Sequence, residues 1–135
     1  MAYWLLKTEP DSWSWAQQTE AGVTAWDGVA NAQALRNMRA MAVGDRAFFY
    51  HTGNERQVVG IVEITRAFYP DPNDPASGLV DVKAVAPLPR PVTLAAIKAE
   101  PALASLALVR QPRLSVMPID EASWARICEM GGVSS

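Results

Sequence analysis

The sequence predicts an α+β domain in which five or six strands form a mostly antiparallel sheet or small barrel with helices at both flanks. Two observations lead to this class: strand-like segments crowd the middle of the chain, and helix signals lie before and after them. The chain has 135 residues, half of them hydrophobic, which suits a globular domain with a sizeable core. We therefore expect residues 1–135 to form one domain whose sheet curls and could close.

Five segments carry strand signals, because they are apolar or alternate apolar and polar residues between turn-forming residues. The second and third are predicted to form a hairpin around Thr52-Gly53-Asn54. Residues 69–75 contain three prolines, which remove hydrogen-bond donors and fix backbone angles, so no regular structure is expected there. The predicted strands are residues 2–7, 46–51, 57–67, 79–85 and 113–117.

Helices are predicted where a capping residue precedes a stripe of apolar side chains. Ser14 and Gln17 have the spacing of a capping box, and Asn31, Thr93 and Asp120 are suitable N-caps. Pro101 suits the first turn of a further helix. The predicted helices are residues 12–18, 31–42, 93–99, 101–108 and a terminal helix from Asp120 to Gly131-Gly132.

Composition excludes several classes of function. Cys128 is the only cysteine and His51 the only histidine, so neither a disulfide nor a zinc cluster can form within the chain. The sequence holds no phosphate-binding or dinucleotide-binding glycine motif and no apolar run of about 20 residues that could span a membrane. The first ten residues lack the features of a signal peptide. We expect a cytoplasmic protein with no metal, no cofactor and no membrane partner.

The formal net charge of −2 argues against bulk electrostatic binding to nucleic acid. Basic residues are nevertheless concentrated locally. Residues 81–113 carry five basic side chains against two acidic ones, and residues 31–66 carry five arginines against three acids. This pattern is compatible with a basic face and equally with charges scattered over a solvated surface.

The aromatic residues are the strongest candidates for ligand contact, because a flat ligand such as a nucleobase needs ring faces and directional hydrogen bonds. Trp26 and Tyr69 lie in turn-forming sequence, where a ring can line a pocket. Asp27, Asn31 and Gln33 are nearby groups of the kind that read a base edge. The alternatives are that Trp26 fills the core and that Asn31 merely caps its helix. Trp4, within a strand, and Trp124, within the last helix, are expected in the core.

Lys7-Thr8-Glu9, just after the first predicted strand, is the strongest candidate for acid–base chemistry. The competing interpretation is a surface ion pair at the end of a strand. Cys128 is expected to be a small core side chain, and nothing around His51 resembles the site of a nucleophile.

At this point the sequence resembles a known family. YWLLKTEPDSW, WDGVANAQALRNMRAMAVGDRAFFYH, VVGIVEITRAFYPDP and LVDVKAVAPLPRPVTLAAIK resemble the EVE domain over nearly the whole chain. The resemblance implies a PUA-like fold, a curled mixed sheet with flanking helices. It also implies a non-enzymatic module that binds a modified nucleobase, chiefly modified cytosine in DNA or a modified base in RNA, in an aromatic pocket.

The resemblance carries over residue by residue where the motifs match. Trp26 would stack on the base, with Tyr69 or Trp13 as a second wall, and phosphate would be held by Lys7, Arg39 and Arg113. The full set expected at the base pocket is Lys7, Thr8, Glu9, Trp13, Trp26, Asp27, Asn31, Gln33, Tyr50, His51, Tyr69 and Ser115.

Two alternatives remain open. ASCH relatives in the same superfamily include amidohydrolases of acylated cytidine, so Lys7 and Thr8 could act on a modified nucleoside with Glu9 or Glu63 as the third group. The chain could also be a module for a small molecule or a protein. Protein partners are not predicted by any motif.

Overall fold

The computed structural model describes residues 1–133, which form one six-stranded sheet surrounded by helices. The strands are β1 (Tyr3–Thr8), β2 (Val23–Trp26), β3 (Arg46–His51), β4 (Gln57–Asp71), β5 (Asp74–Thr93) and β6 (Val116–Ile119). The helices are α1 (Trp15–Ala21), α2 (Ala32–Arg39), α3 (Leu94–Ala99), α4 (Ala107–Arg110) and α5 (Glu121–Gly131), with a 3-10 turn at Pro101–Leu103. The predicted α+β class with a curled, mixed sheet is confirmed.

The strand order is β2-β5-β4-β3-β1-β6, and every neighbouring pair is antiparallel except β1 and β3. In a flat sheet β2 and β1 would stand four strand spacings apart, about 19 Å. Residues of both strands nevertheless line one pocket. The sheet therefore curls strongly, as twisted sheets of this size do.

The sheet stays open, so the expectation that it could close into a barrel is wrong. β2 pairs only with β5 and β6 pairs only with β1, and each of these edge strands has four residues. Strands this short offer few backbone groups for closing a ladder. The gap between β2 and the end of β1 is occupied by the pocket described below.

The proline-rich segment 69–75 lies in two strands except for a turn at residues 72–73, contrary to the sequence-based expectation. β4 and β5 form one long hairpin that turns between Asp71 and Asp74, and Pro70 lies opposite Gly78. The prolines are exposed on the hairpin, and the register shifts at several points along it. Prolines are compatible with such irregular ladders because bulges leave N–H groups unpaired anyway.

Two other strands differ from the prediction. β2 was not predicted, because it has four residues and only Trp26 among them is buried, too little for a periodic signal. β6 begins at Val116, three residues later than expected, because the preceding segment turns: the Leu114 N–H donates to the Gln111 carbonyl at 3.0 Å.

The predicted helix caps are confirmed. Ser14 and Gln17 form a reciprocal capping box, and Asn31, Thr93 and Asp120 each accept a backbone N–H from the first turn of their helices. The single helix expected over residues 101–108 is wrong. Leu103 and Leu108 are both buried, whereas one straight helix would place them about 140° apart around its axis. The chain satisfies both by breaking into a 3-10 turn and α4.

The core lies between the sheet and its helices. Trp124 stacks on Phe48 at 3.8 Å between ring centroids and on Tyr3 at 4.4 Å, which ties α5 to the sheet. Trp124, Trp4 and Cys128 are buried, as predicted. Burial raises the pKa of the Cys128 thiol, since an apolar surrounding disfavours the thiolate.

Asp45 is a buried carboxylate that joins the start of β1 to the turn before β3. It accepts hydrogen bonds from the Trp4 indole at 3.0 Å, the Ala42 N–H at 2.9 Å and the Ala2 N–H at 3.0 Å. Burial by itself would raise the pKa of Asp45, but these hydrogen bonds and the N-terminal charge outweigh it and lower that pKa. The ionised form therefore stabilises the junction of the only parallel strand pair among the described residues.

Replacing Asp45 should destabilise the fold. We expect Asp45→Ala to lower the free energy of unfolding by about 3 kcal/mol, because the buried Trp4 N–H is left unpaired. The wild-type contribution should be complete above about pH 4 and be lost as the pH falls through the lowered folded-state pKa. Urea unfolding at several pH values measures both effects, with the exposed Glu20→Ala as a control. Equal stability of the two variants would contradict the assignment.

Candidate nucleobase pocket

A concave site lies where the curled sheet fails to close. It has a volume of about 600 Å³ and is lined by four parts of the chain: the end of β1, the segment before α1, β2 with the turn after it, and the residue before β6. We call it the main pocket. Its lining consists of Lys7, Thr8, Ser12, Trp13, Thr24, Ala25, Trp26, Asp27, Gly28, Val29 and Ser115.

Gln18 fixes the relative position of two sides of the main pocket. It is fully buried, and its Oε1 accepts from the Trp13 indole N–H at 2.9 Å and from the Thr24 hydroxyl at 2.8 Å. Its Nε2 donates to the Gly22 carbonyl at 3.1 Å. Trp13 and Thr24 both line the pocket, so one amide behind the wall holds the α1 side against β2. Sequence reasoning missed Gln18, because one glutamine in a seven-residue helix gives no pattern.

The two indoles of the main pocket differ in how much surface they offer. Trp26 is only 7% exposed and packs edge-on against Phe49, with 5.5 Å between ring centroids. Trp26 is therefore both a core residue and part of the pocket wall. The two interpretations of the sequence, that Trp26 lines a pocket and that it fills the core, are compatible. Trp13 is partly exposed and is held by the Thr8 hydroxyl, which donates to the Trp13 carbonyl at 3.0 Å. Trp13 is the indole with the more accessible surface.

Lys7 supplies the one cationic side chain among the described residues that line the main pocket. Its Nζ donates to the Pro112 carbonyl at 2.9 Å and lies 5.7 Å from the centre of the Tyr50 ring. Partial burial lowers the pKa of the Lys7 ammonium, since desolvation disfavours the charged form. No carboxylate within residues 1–133 lies within ion-pair distance of it. The competing interpretation of Lys7-Thr8-Glu9, a surface ion pair at the end of the strand, is therefore wrong.

Asp27 is the one acidic side chain in the described lining, and it is exposed. It follows Trp26 directly and precedes Gly28, whose φ of 74° lies in the left-handed region that glycine adopts without strain. The Ser77 hydroxyl donates to the carbonyl of the adjacent Val29 at 2.7 Å, which ties this turn to the long hairpin. The turn thus presents a carboxylate on a supported backbone.

The structure brings together half of the residues expected at the base pocket. Six of them line the main pocket: Lys7, Thr8, Trp13, Trp26, Asp27 and Ser115. Asn31, Gln33 and Arg113 instead line a separate, smaller pocket of about 360 Å³. Asn31 is committed to capping α2, because its Oδ1 accepts the Ala34 N–H at 3.0 Å.

The other expected residues are not among the described residues that line either pocket. His51 is a structural residue: its Nε2 accepts the Trp15 N–H at 3.0 Å, so Nδ1 carries the proton that bonds Glu55. Tyr50 is buried beneath Lys7. Glu9 is exposed and accepts two turn hydrogen bonds through its backbone carbonyl.

Tyr69 and Arg39 belong to the long hairpin and its contact with α2. The Tyr69 hydroxyl donates to Asp81, which raises the pKa of Tyr69, and the Arg66 guanidinium lies 3.6 Å from the centre of the Tyr69 ring. Arg39 lies over the Phe68 ring at 5.0 Å. Tyr69 is therefore not among the described residues that line the main pocket, whereas Trp13 is.

The residues of the enzymatic alternative are not assembled. Glu63 lies on β4 and pairs with Arg46 at 3.8 Å, and neither Glu63 nor Glu9 is among the described residues of the pocket lining. Residues 1–133 hold no group of three or more His, Cys, Asp or Glu side chains that could bind a metal. No helix in the described part of the chain is long and apolar enough to cross a membrane.

Comparison with known proteins identifies the family, because the family model of the EVE domain matches residues 2–130 of the sequence. The chain belongs to the EVE domain family. The relatives of this EVE domain include human thymocyte nuclear protein 1, which is 32% identical over 161 residues, covering 89% of this chain and 69% of that protein. The resemblance seen in the sequence is thereby confirmed.

Solved structures agree with the family assignment. The NMR structure of Rpa0253 from Rhodopseudomonas palustris is 51% identical, with a TM-score of 0.93 over 98% of this chain and 94% of that one. A crystal structure of the human THYN1 protein in complex with 5-methylcytosine-containing DNA is 26% identical, with a TM-score of 0.86 over the full length of both chains.

Gln18 provides a test of how the pocket is held. We expect Gln18→Leu to lower the free energy of unfolding by roughly 2–4 kcal/mol, because the Trp13 indole and the Thr24 hydroxyl lose a buried acceptor. The Trp13 indole proton should also exchange faster with deuterated solvent. Thr19→Val on the exposed face of α1 is the matched control. Unchanged indole exchange in Gln18→Leu would show that another contact positions Trp13.

Proposed function

We propose that this EVE domain is a non-enzymatic reader that binds a modified cytosine, extruded from DNA, in the main pocket. The observation that carries the proposal is the pocket lining, which combines two indoles with a single cation and a single carboxylate among the described residues. That combination provides surfaces for a flat ring together with a donor and an acceptor for its edge. A base inside a duplex cannot reach such a pocket, so it must be turned out of the stack.

The dimensions and aromatic groups suit one nucleobase. The volume of about 600 Å³ lies in the usual range for small-molecule sites. Stacking between a base and an aromatic side chain contributes roughly 1–3 kcal/mol in proteins that bind single strands. Trp13 would provide the larger stacking surface, because it is partly exposed, and Trp26 the more rigid one, because Phe49 supports it.

Polar groups of the pocket complement the edge of cytosine. Cytosine donates from its N4 amino group and accepts at N3 and O2, and carboxylates are suitable acceptors for N4. Asp27 would accept from N4, while Lys7 and the hydroxyls of Thr8 and Ser115 would donate to N3 and O2. Lys7 retains two ammonium protons beyond the one it gives to Pro112. We accordingly assign Lys7 to the base edge.

Recognition of the modification would depend on apolar surface. Ala25 and Val29 line the pocket close to Trp26 in the chain and offer contact to a 5-methyl group. Burying one such group contributes about 0.8 kcal/mol, which corresponds to roughly a fourfold preference over unmodified cytosine. A larger preference would require the pocket to exclude the water that fills the space of the missing methyl.

The human THYN1 complex supports DNA as the polymer, because that relative shares this fold over its full length and its crystal structure contains 5-methylcytosine DNA. The main pocket supports the same ligand from this chain's own residues. The two lines of support rest on different observations, since the lining belongs to this chain and the DNA complex to its relative.

Removing the accessible indole should abolish most of the affinity. We expect Trp13→Ala to weaken binding of a 5-methylcytosine oligonucleotide roughly 5- to 150-fold, since the stacking surface is lost. Trp13→Phe should retain most of the affinity because it keeps a ring. Fluorescence anisotropy with labelled oligonucleotides, each containing cytosine or 5-methylcytosine at one position, measures both variants. Circular dichroism of each variant establishes that it is folded.

Equal binding of the two oligonucleotides by the wild type would contradict reading of the methyl group. If Trp13→Ala bound the oligonucleotide as tightly as the wild type does, the proposed location of the base would be contradicted.

Asp27 should set the relative affinity for 5-methylcytosine and thymine. Both bases carry the methyl group, but they differ at position 4. Thymine presents an acceptor there, which the Asp27 carboxylate repels. We expect the wild type to favour 5-methylcytosine over thymine by about tenfold or more, and Asp27→Ala to reduce this ratio to near one. Asp11→Ala, another exposed carboxylate outside the lining, is the control. An unchanged ratio in Asp27→Ala would exclude this reading of N4.

A further inference from the structure

The second, smaller pocket has a chemistry of its own. It is a concave site of about 360 Å³ that combines a guanidinium, three side-chain amides and two apolar side chains. No carboxylate is among the described residues that line it. Its lining consists of Asn31, Gln33, Gln111, Pro112, Arg113 and Leu114.

The two pockets are neighbours that share one stretch of backbone. Leu114 lines the second pocket and Ser115, the next residue, lines the main pocket. Lys7 of the main pocket donates to the carbonyl of Pro112 in the second pocket. Consecutive Cα atoms are about 3.8 Å apart, so the two pockets adjoin each other at Leu114 and Ser115. A strand that places one base in the main pocket therefore has its neighbouring nucleotide near the second.

The groups in the second pocket are suited to a nucleotide. Arg113 is exposed and forms no salt bridge with the described residues, so its guanidinium is available to a phosphate. The amides of Gln33 and Gln111 each offer donors and an acceptor, which is what the edge of a base requires. Asn31 keeps its Nδ2 donor, since only its Oδ1 is used by the helix cap.

We propose that the second pocket binds the nucleotide adjacent to the extruded base in the same strand. Arg113 holds the phosphate that joins the two nucleotides, and Gln33 and Gln111 contact the neighbouring base. This inference rests on the proposed function, because the main pocket must hold the extruded base. It adds a second site and gives the domain a preference for sequence context beyond the modification itself.

The first arm of the test concerns the phosphate. We expect Arg113→Gln to weaken binding of a single-stranded 5-methylcytosine oligonucleotide about three- to tenfold and to lower the salt slope, in log Kd against log salt, by about 0.7. The ratio between modified and unmodified oligonucleotides should stay at its wild-type value. Arg110→Gln, an exposed arginine three residues earlier and outside both linings, is the matched control and should leave the slope unchanged.

The second arm concerns the neighbouring base. Oligonucleotides in which the nucleotide on either side of 5-methylcytosine is replaced by an abasic site test each flank separately. An abasic site on one of the two sides should weaken binding to the wild-type protein about fivefold or more, given the usual strength of base contacts. Gln33→Ala should bind the intact oligonucleotide about as weakly as the wild type binds the abasic one. The abasic site should cause no further loss of affinity in this variant.

The outcomes separate this inference from the proposed function. Equal slopes for Arg113→Gln and Arg110→Gln, or equal abasic losses in wild type and Gln33→Ala, would overturn the second site while leaving the modification ratio intact. A wild type that ignores the modification but loses affinity in Arg113→Gln would overturn reading of the modification and retain a nucleotide at Arg113. Absence of any oligonucleotide binding would overturn both.

Discussion

The curled sheet brings its two ends to one place without pairing them, and this unclosed gap is the constraint on which the candidate site depends. β2 at one edge and the end of β1 near the other face the same space, although four strand spacings separate them within the sheet. Had the strands paired across the gap, backbone hydrogen bonds would fill it. The chain instead spans it with the buried amide of Gln18, which bonds Trp13 on one side and Thr24 on the other.

Two of the buried polar side chains, Gln18 and His51, support the α1 segment beside the pocket. A gap in a sheet leaves donors and acceptors that cannot be buried unpaired without cost. Gln18 and His51 satisfy backbone groups at the two ends of α1: Gln18 bonds the Gly22 carbonyl, and His51 bonds the Trp15 N–H. No buried side-chain polar atom within residues 1–133 lacks a partner. The walls are therefore preorganised, which reduces the entropy cost of binding a rigid planar ligand.

The sequence predicted local structure well and the assembly of the site only in part. Capping by Ser14, Asn31 and Asp120 was predictable because it depends on residues three apart in the chain. Trp26 and Asn31 are also close in sequence, yet they face different pockets, because the turn after β2 redirects the chain before α2 begins. Proximity in sequence is thus a poor guide to proximity at a site formed by a turn.

Long-range contacts account for what the residues alone did not reveal. The pairing of Lys7 with Pro112 joins positions 105 residues apart, and only the topology of β1 and β6 brings them together. Gln18 gave no signal because a buried glutamine resembles a solvent-exposed one until the wall around it is known. The family resemblance supplied Trp13, Lys7 and Ser115, which spacing along the chain would not have placed around one pocket.

The acidic balance of the chain restricts how nucleic acid could be held. With a formal charge of −2, nonspecific attraction to a polyanion is weak, so affinity must come from a few placed groups. Lys7 is half-buried against Pro112 and Tyr50, which leaves Arg113 as the one exposed cation among the described residues that line the two pockets. A domain with one or two phosphate contacts loses little affinity as the salt concentration rises, and it binds nucleic acid of random sequence only weakly. In the proposed function, selectivity depends on whether a base enters the pocket, because stacking and edge hydrogen bonds are unavailable to a strand that remains outside.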